Sequence, residues 1–374
     1  FDSETNQVYK RATQYDFDPA FHTLSLYNIY VSMGPTSELR LLSGLRLEAP
    51  NNNSATKYQG ALILESGHLN TNGQELRIDA FQSTNNNPTR RLTMDNSTIT
   101  VDVRGWYPEI WRLDFNGANY AGFSASGSHL IIQPGGTTDI IRFGTNLQYD
   151  SVTIDAGLTR LYLENSSNFN YFALSPNCMP VMPRNGTIST NELVMGAGSV
   201  LLMYGVTIET DLFSGPTGCA AASIQKRSGN PGLRKKTPGG TLNINNVILN
   251  GISGDPSSNY SASSSFDAGG NSNINFSSTF STCQPNLYFR DRVSNDWNDI
   301  NNWQTGPAPT AAIASSLPSP ETNVIIDQLS FANLNNGLSL SSAAFCQDIS
   351  SSGLTGSPTL SINHPLYVTG DVDL

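Results

Sequence analysis

The chain is predicted to be all-β, a right-handed parallel β-helix (a β-solenoid) followed by the start of a second β-rich module. Three observations predict it. Apolar residues fall two apart in short runs, as at Ile99, Val101 and Val103 or at Leu161 and Leu163, the period of a strand that buries alternate side chains. Asn, Gly, Asp and Ser fill the gaps, where turns need residues that tolerate positive φ or bond to their own backbone. The strand–turn unit recurs many times at unequal intervals, and stacking such rungs buries a continuous apolar row. Tandem β-sandwich domains, also strands joined by Gly/Pro turns, are the alternative.

In chain order, residues 1–22 are mixed and polar, a lead-in or the end of a preceding domain. Residues 23–253 are the solenoid with loop insertions. Its first strands lie at 23–33 and 39–47, and rungs follow at 62–64, 76–78, 92–94, 99–103, 130–132, 140–143, 152–154 and 161–163. Residues 168–183 hold Cys178 and three prolines and read as an excursion from the stack; 193–208 resumes it. Residues 214–240 read as a Gly/Pro/basic loop and 242–249 as an alternating strand. The Ser/Asn/Gly-rich stretch 254–287 reads as a linker or long loop. Residues 288–374 have a different texture and read as a second, truncated solenoid-like module.

Composition narrows the partners. The net charge of −10 argues against nucleic acid. The basic cluster Lys226, Arg227, Arg234, Lys235 and Lys236 reads as a solvated loop. No run approaches the ~18 apolar residues of a membrane span. The chain opens on Phe1-Asp2-Ser3 without Met and stops in strand-like sequence, so a piece of a longer protein is expected. Cys178, Cys219, Cys283 and Cys346 form no CxxC pair, which disfavours zinc and makes them structural disulfide candidates with three pairings; Cys346 also reads as core. Cysteines and low charge together point to the cell exterior.

Trp106, Tyr107 and Trp111 form the most aromatic spot. They are the candidate ligand-binding residues, as a platform on which a sugar ring stacks, with a rung corner covering the core as the plainer reading. Asp95, Asp102, Glu109 and Asp114 are candidates for the paired carboxylates of a glycoside hydrolase, though a normal solvated face presents the same pattern. His22, His68, His129 and His364 have no metal spacing. No cofactor is implied; a structural Ca2+ at Asp-rich turns, near Asp139, Asp150, Asp155 or Asp211, is allowed with no ligands assigned. Glycosylation sequons fall at Asn52, Asn96, Asn165, Asn185, Asn259 and Asn275.

One region resembles a known group. Asp296-Trp297-Asn298-Asp299-Ile300-Asn301-Asn302-Trp303, then 318–327 ending in Asn323-Val324-Ile325-Ile326-Asp327, then rungs at 345–349, 358–362 and 366–371, are similar to modules of large secreted proteins of the Bacteroidetes. The resemblance covers about 288–374. It implies export by the type IX secretion system, the outer surface of a Gram-negative cell, and kinship with the mobile adhesins of gliding bacteria. Asp150-Ser151-Val152 fits the short pattern that lineage uses for O-glycosylation, marking Ser151. The two tryptophans themselves read as a cap on the next solenoid.

The expected function is therefore a non-catalytic, extracellular structural or adhesive segment of a large bacterial surface protein that contacts glycans. Its expected partners are surface polysaccharide, other surface or secretion-system proteins, and the rest of its parent chain. The alternative is a polysaccharide-active β-helix enzyme, a lyase or glycoside hydrolase.

Overall fold

The computed structural model describes residues 7–8, 14–17, 28–47, 60–84, 89–102, 109–114, 122–133, 135, 138–155, 160–164, 166–178, 180–277, 284–332, 337–341, 343–354 and 357–374. The chain is all-β and winds as a parallel β-solenoid of about 12 turns. A twelve-stranded sheet runs along it from Gln7–Val8 to Phe266–Asp267, and a ten-stranded sheet runs from Leu45–Arg46 to Ser253–Gly254. A third side is made by a five-stranded sheet near the N-terminal end and a three-stranded sheet (Thr241–Asn245, Asn259–Ser263, Asn275–Phe276) near the other. Between them the strands of the ten-stranded sheet lengthen, as in Ser167–Leu174 and Thr187–Met195. Parallel pairing from turn to turn replaces the antiparallel pairing of a sandwich.

Period-two alternation decides what faces inward. In the ten-stranded sheet Leu76, Ile99, Leu130, Val152, Phe172, Leu193 and Phe213 stand in register, one above the next. In the twelve-stranded sheet Leu62, Phe81, Trp111, Ile141 and Leu163 do the same. All are buried. Corners turn on left-handed residues that stack on one another. Gly127 (φ +66°) sits over Asn96 (φ +55°), and Gly198 (φ +71°) over Asn177 (φ +59°), so a β-carbon on either glycine would strike the asparagine side chain below.

The stack is longer than the sequence reading allowed. Gln7–Val8 and Gln14–Phe17, within the expected lead-in, pair into its sheets. The expected excursion at 168–183 contributes Ser167–Leu174 and Val181–Arg184. The expected loop at 214–240 contributes Ala222–Ser228 and Gly232–Lys235. Strands Asn259–Ser263, Phe266–Asp267 and Asn275–Phe276 lie within the stretch expected as a linker. Tyr260 and Ala262 are that stretch's inward pair. Two inward side chains suffice for a rung, so a polar sequence still forms one.

The second module has its own core, including Leu287, Phe289, Val324, Ile326 and Ile349. Asn286–Phe289, Asn323–Asp327, Ile349–Ser352 and Val372–Asp373 form a parallel ladder. Its first edge is covered by the antiparallel strand Trp303–Gln304, which blunts an otherwise open edge. Trp297 and Trp303 are buried edge-to-face at 5.0 Å, and the Trp303 indole N–H donates to the Trp297 carbonyl at 2.7 Å. The buried Asn302 side chain accepts from the Val293 amide and donates to the Ser294 hydroxyl and the Asp296 carbonyl. The Arg290 guanidinium, buried beside this cap, grips both oxygens of Asp327 at 2.9 and 3.0 Å and donates to the Phe289 and Pro307 carbonyls.

A third apolar cluster joins the parts. Val200, Ala221 and Ile248, on the outside of the twelve-stranded sheet, pack with Ala343 and Phe345 of the second module. Phe345 and Tyr367 stack at 5.1 Å there.

Asp327→Ala strands a buried guanidinium. Urea unfolding of the full chain is expected to show the second module destabilised by about 3–5 kcal/mol, with Asp327→Asn intermediate. An unchanged midpoint would show that the ion pair is dispensable.

Candidate functional site

Of the expected aromatic platform the structure describes Trp111 alone. Trp106 and Tyr107 lie outside the described residues. Trp111 is 0% exposed. It occupies the inward row between Phe81 and Ile141, with the Phe81 ring at 4.9 Å. Its indole N–H donates to the Tyr149 hydroxyl (3.2 Å), which donates to the Phe143 carbonyl (2.8 Å). Full burial pushes the Tyr149 phenol above its ordinary range. Trp111 is therefore core, and its spacing of two from Leu113 carried that signal.

The candidate carboxylates face outward, each held by donors. Arg77 pairs with Asp102. Asp95 accepts from the Ser124 hydroxyl (2.6 Å) and the Ser126 amide (2.8 Å). Glu109 and Asp114 share Arg112, and the Asp114 hydrogen bond leads in raising that guanidinium's pKa. Arg142 stands in register beside Arg112, a like-charge pairing that costs energy unless anions intervene. Glu164 meets Arg142 at 3.0 Å, and Glu109 lies 3.1 Å from its Nε, an ion pair without hydrogen-bond alignment. Next along the row Arg184 lies over the Tyr162 ring at 3.4 Å and near Tyr204 at 5.1 Å. The result is a neutralised ladder in which carboxylates offset the arginines.

Other sequence candidates are dispersed. Asp150 accepts from Asn170, Asp155 from Gln133, and Asp211 from Lys235 and Thr237, while Asp139 is buried. Among the described residues no group of three or more His, Cys, Asp or Glu could hold a metal ion, and no helix is long and apolar enough to cross a membrane. In the basic cluster Arg234 pairs with Glu209 and Asp255, Lys235 with Asp211, and Lys236 donates to Asn191. His68 donates to or accepts from Thr93 and pairs with Glu38, and His129 bonds Thr153; burial lowers the pKa of both rings. Ser151 is half-buried in the strand Gln148–Ile154, between His129 and Tyr171. Asn96, Asn185, Asn259 and Asn275 are exposed; Asn52 and Asn165 lie outside the described residues.

Cys178 and Cys346 are buried free thiols, which removes both from the disulfide candidates. Burial pushes each up to about 12, with Asp155 adding for Cys178 and Asp348 for Cys346. Cys283 lies outside the described residues.

Sequence reading missed a cleft of about 520 Å3 between the solenoid and the second module. Solenoid corners supply Asn177, Gly198 and Thr217; the module supplies Gln284, Trp297, Asn298, Ser315, Ser316 and Phe345. Its walls are distant in sequence and meet only because the module packs on the outer sheet face, so no local pattern marks it.

No protein-family model, curated protein or solved structure matches the chain.

Trp111→Ala is expected to destabilise the solenoid by about 3–5 kcal/mol in denaturant unfolding. A variant with unaltered stability and lost glycan binding would return Trp111 to the ligand platform.

Proposed function

We propose that this chain is a non-catalytic extracellular segment, structural and adhesive, of a large bacterial cell-surface protein of the type IX secretion lineage, whose partners are surface glycans or other surface proteins. One observation carries the reading: the outward carboxylates of the stack are spent on arginines and hydroxyls in a neutralised ladder. A glycosidase needs two carboxyl groups with divided roles, one of them kept protonated. Here Glu109 and Asp114 share one arginine, Arg112. A continuous apolar interior supplies length and stiffness instead. The resemblance of 288–374 to Bacteroidetes surface modules supports the location.

The same ladder is what favours the second reading, a polysaccharide lyase, since a cation beside a carboxylate suits uronate chains. A turnover assay separates the two. The full chain, incubated with neutral and uronic-acid polysaccharides, is expected to release no new reducing ends or unsaturated products while being retained on polysaccharide-coated beads. Product formation that scales with protein concentration and falls in Glu109→Gln would overturn the adhesive reading.

An oxidising location also bears on the cysteines. With Cys178 and Cys346 buried as thiols, the disulfide proposed for the secreted chain joins Cys219 to Cys283. Peptide mapping without reductant is expected to find that link. Maleimide at neutral pH is expected to label Cys178 and Cys346 only after unfolding, because a buried thiol with a raised pKa holds almost no thiolate there. A link between Cys178 and Cys346 would refute this pairing.

A further inference from the structure

We propose that the cleft between the solenoid and the second module is a binding site for a neutral saccharide; this rests on the reading of the chain as a glycan-contacting segment and assigns that contact to a place. The cleft's volume of about 520 Å3 falls in the ~300–1,000 Å3 range of small-molecule sites. Three features decide the ligand class.

First, among the described residues the lining contains no Asp, Glu, Lys, Arg or His, although the chain carries 50 acidic and basic residues in all, 30 and 20. An anionic ligand such as a uronate, a sulfated sugar or a phosphate would lose water there without gaining a cation. Second, the side chains of Thr217, Gln284, Ser315 and Ser316 make no hydrogen bond to any other described residue. These hydroxyls and one amide offer donors and acceptors together. An apolar ligand would cover them unpaired and lose their hydration. Third, Leu317 and Ala220, both half-buried, bring apolar surface to the same cleft, which Trp297 and Phe345 also line although both are buried. A pyranose presents an apolar face and a hydroxyl rim, which is the complement of this lining.

The walls are also fixed relative to one another. Within the module's own wall, Asn298 donates to the Ala343 carbonyl and accepts from the Ser341 amide. Phe345, which lines the cleft, belongs to the apolar cluster that clamps the module onto Val200 and Ile248. A site whose sides are already locked loses little freedom on binding.

The test uses the full chain on a printed array of neutral, uronic-acid and sulfated oligosaccharides, with the strongest binder then measured by titration calorimetry. Thr217→Trp and Ser315→Trp fill the cleft from opposite walls at exposed positions; Lys226→Ala, outside it, is the control. The expected result is a neutral glycan as strongest binder, whose affinity falls about tenfold or more in both tryptophan variants and is unchanged in the control, with far-UV circular dichroism preserved throughout. Neutral-glycan binding that persists in both filled variants overturns the site and leaves the adhesive reading standing. A uronic or sulfated glycan displaced by cleft filling overturns the neutral class. Absence of binding to every glycan overturns the site and the glycan-contacting reading together.

Discussion

Register is the constraint on which everything else depends. Side chains alternate with period two along a strand, so a rung that slips by one residue turns its whole apolar row outward. The row Val152, Phe172, Leu193, Phe213 holds that register through nearly equal turns, and the left-handed corners at Asn96 and Gly127, or Asn177 and Gly198, keep successive turns in step. A bulky inward residue is tolerated only if its neighbours above and below make room. Trp111 sits between Phe81 and Ile141 on those terms, and its one polar atom is answered by Tyr149.

The outward row is free of that constraint, and the chain uses it in two ways. From Glu109 to Arg184 it carries paired charges. Further on, Val200, Leu202 and Ile248 face outward as apolar residues and receive the second module. Strand Val200–Tyr204 is apolar in both phases, as strands covered on both faces are. The Leu201 and Met203 phase fills the interior; the Val200 and Leu202 phase takes Phe345 and its neighbours.

Much of this was legible from the residues alone. Alternation and Asn/Gly corners were enough for the solenoid, because both are local. What failed was reading polarity as absence of structure. Asn259–Ser263 buries only Tyr260 and Ala262, and a narrow stack needs no more, so a composition typical of linkers still makes rungs. The tryptophans divided for a related reason. Trp297 and Trp303, set among Asn and Asp, read as a cap and cover an edge, whereas Trp111, close to Trp106, Tyr107 and Pro108 in sequence, is core by its phase with Leu113. The cleft was beyond reach, since residues near 198, 217, 297 and 316 become neighbours only through a packing event between two modules.

The contrast between ladder and cleft bears on function more than the fold does, because the same solenoid serves binding and catalysis alike. Along the ladder each charge has a local answer, so little electrostatic free energy is left to spend on a ligand; a polysaccharide lying there would have to displace Arg112 from Asp114 or Arg142 from Glu164. In the cleft the reverse holds: hydroxyls and an amide are unspent beside apolar surface, and no charged side chain among the described residues lines it. The proposed adhesive reading draws on recognition by unspent neutral groups on a rigid support. An adhesive segment requires that combination, and the arginine-saturated face does not provide it.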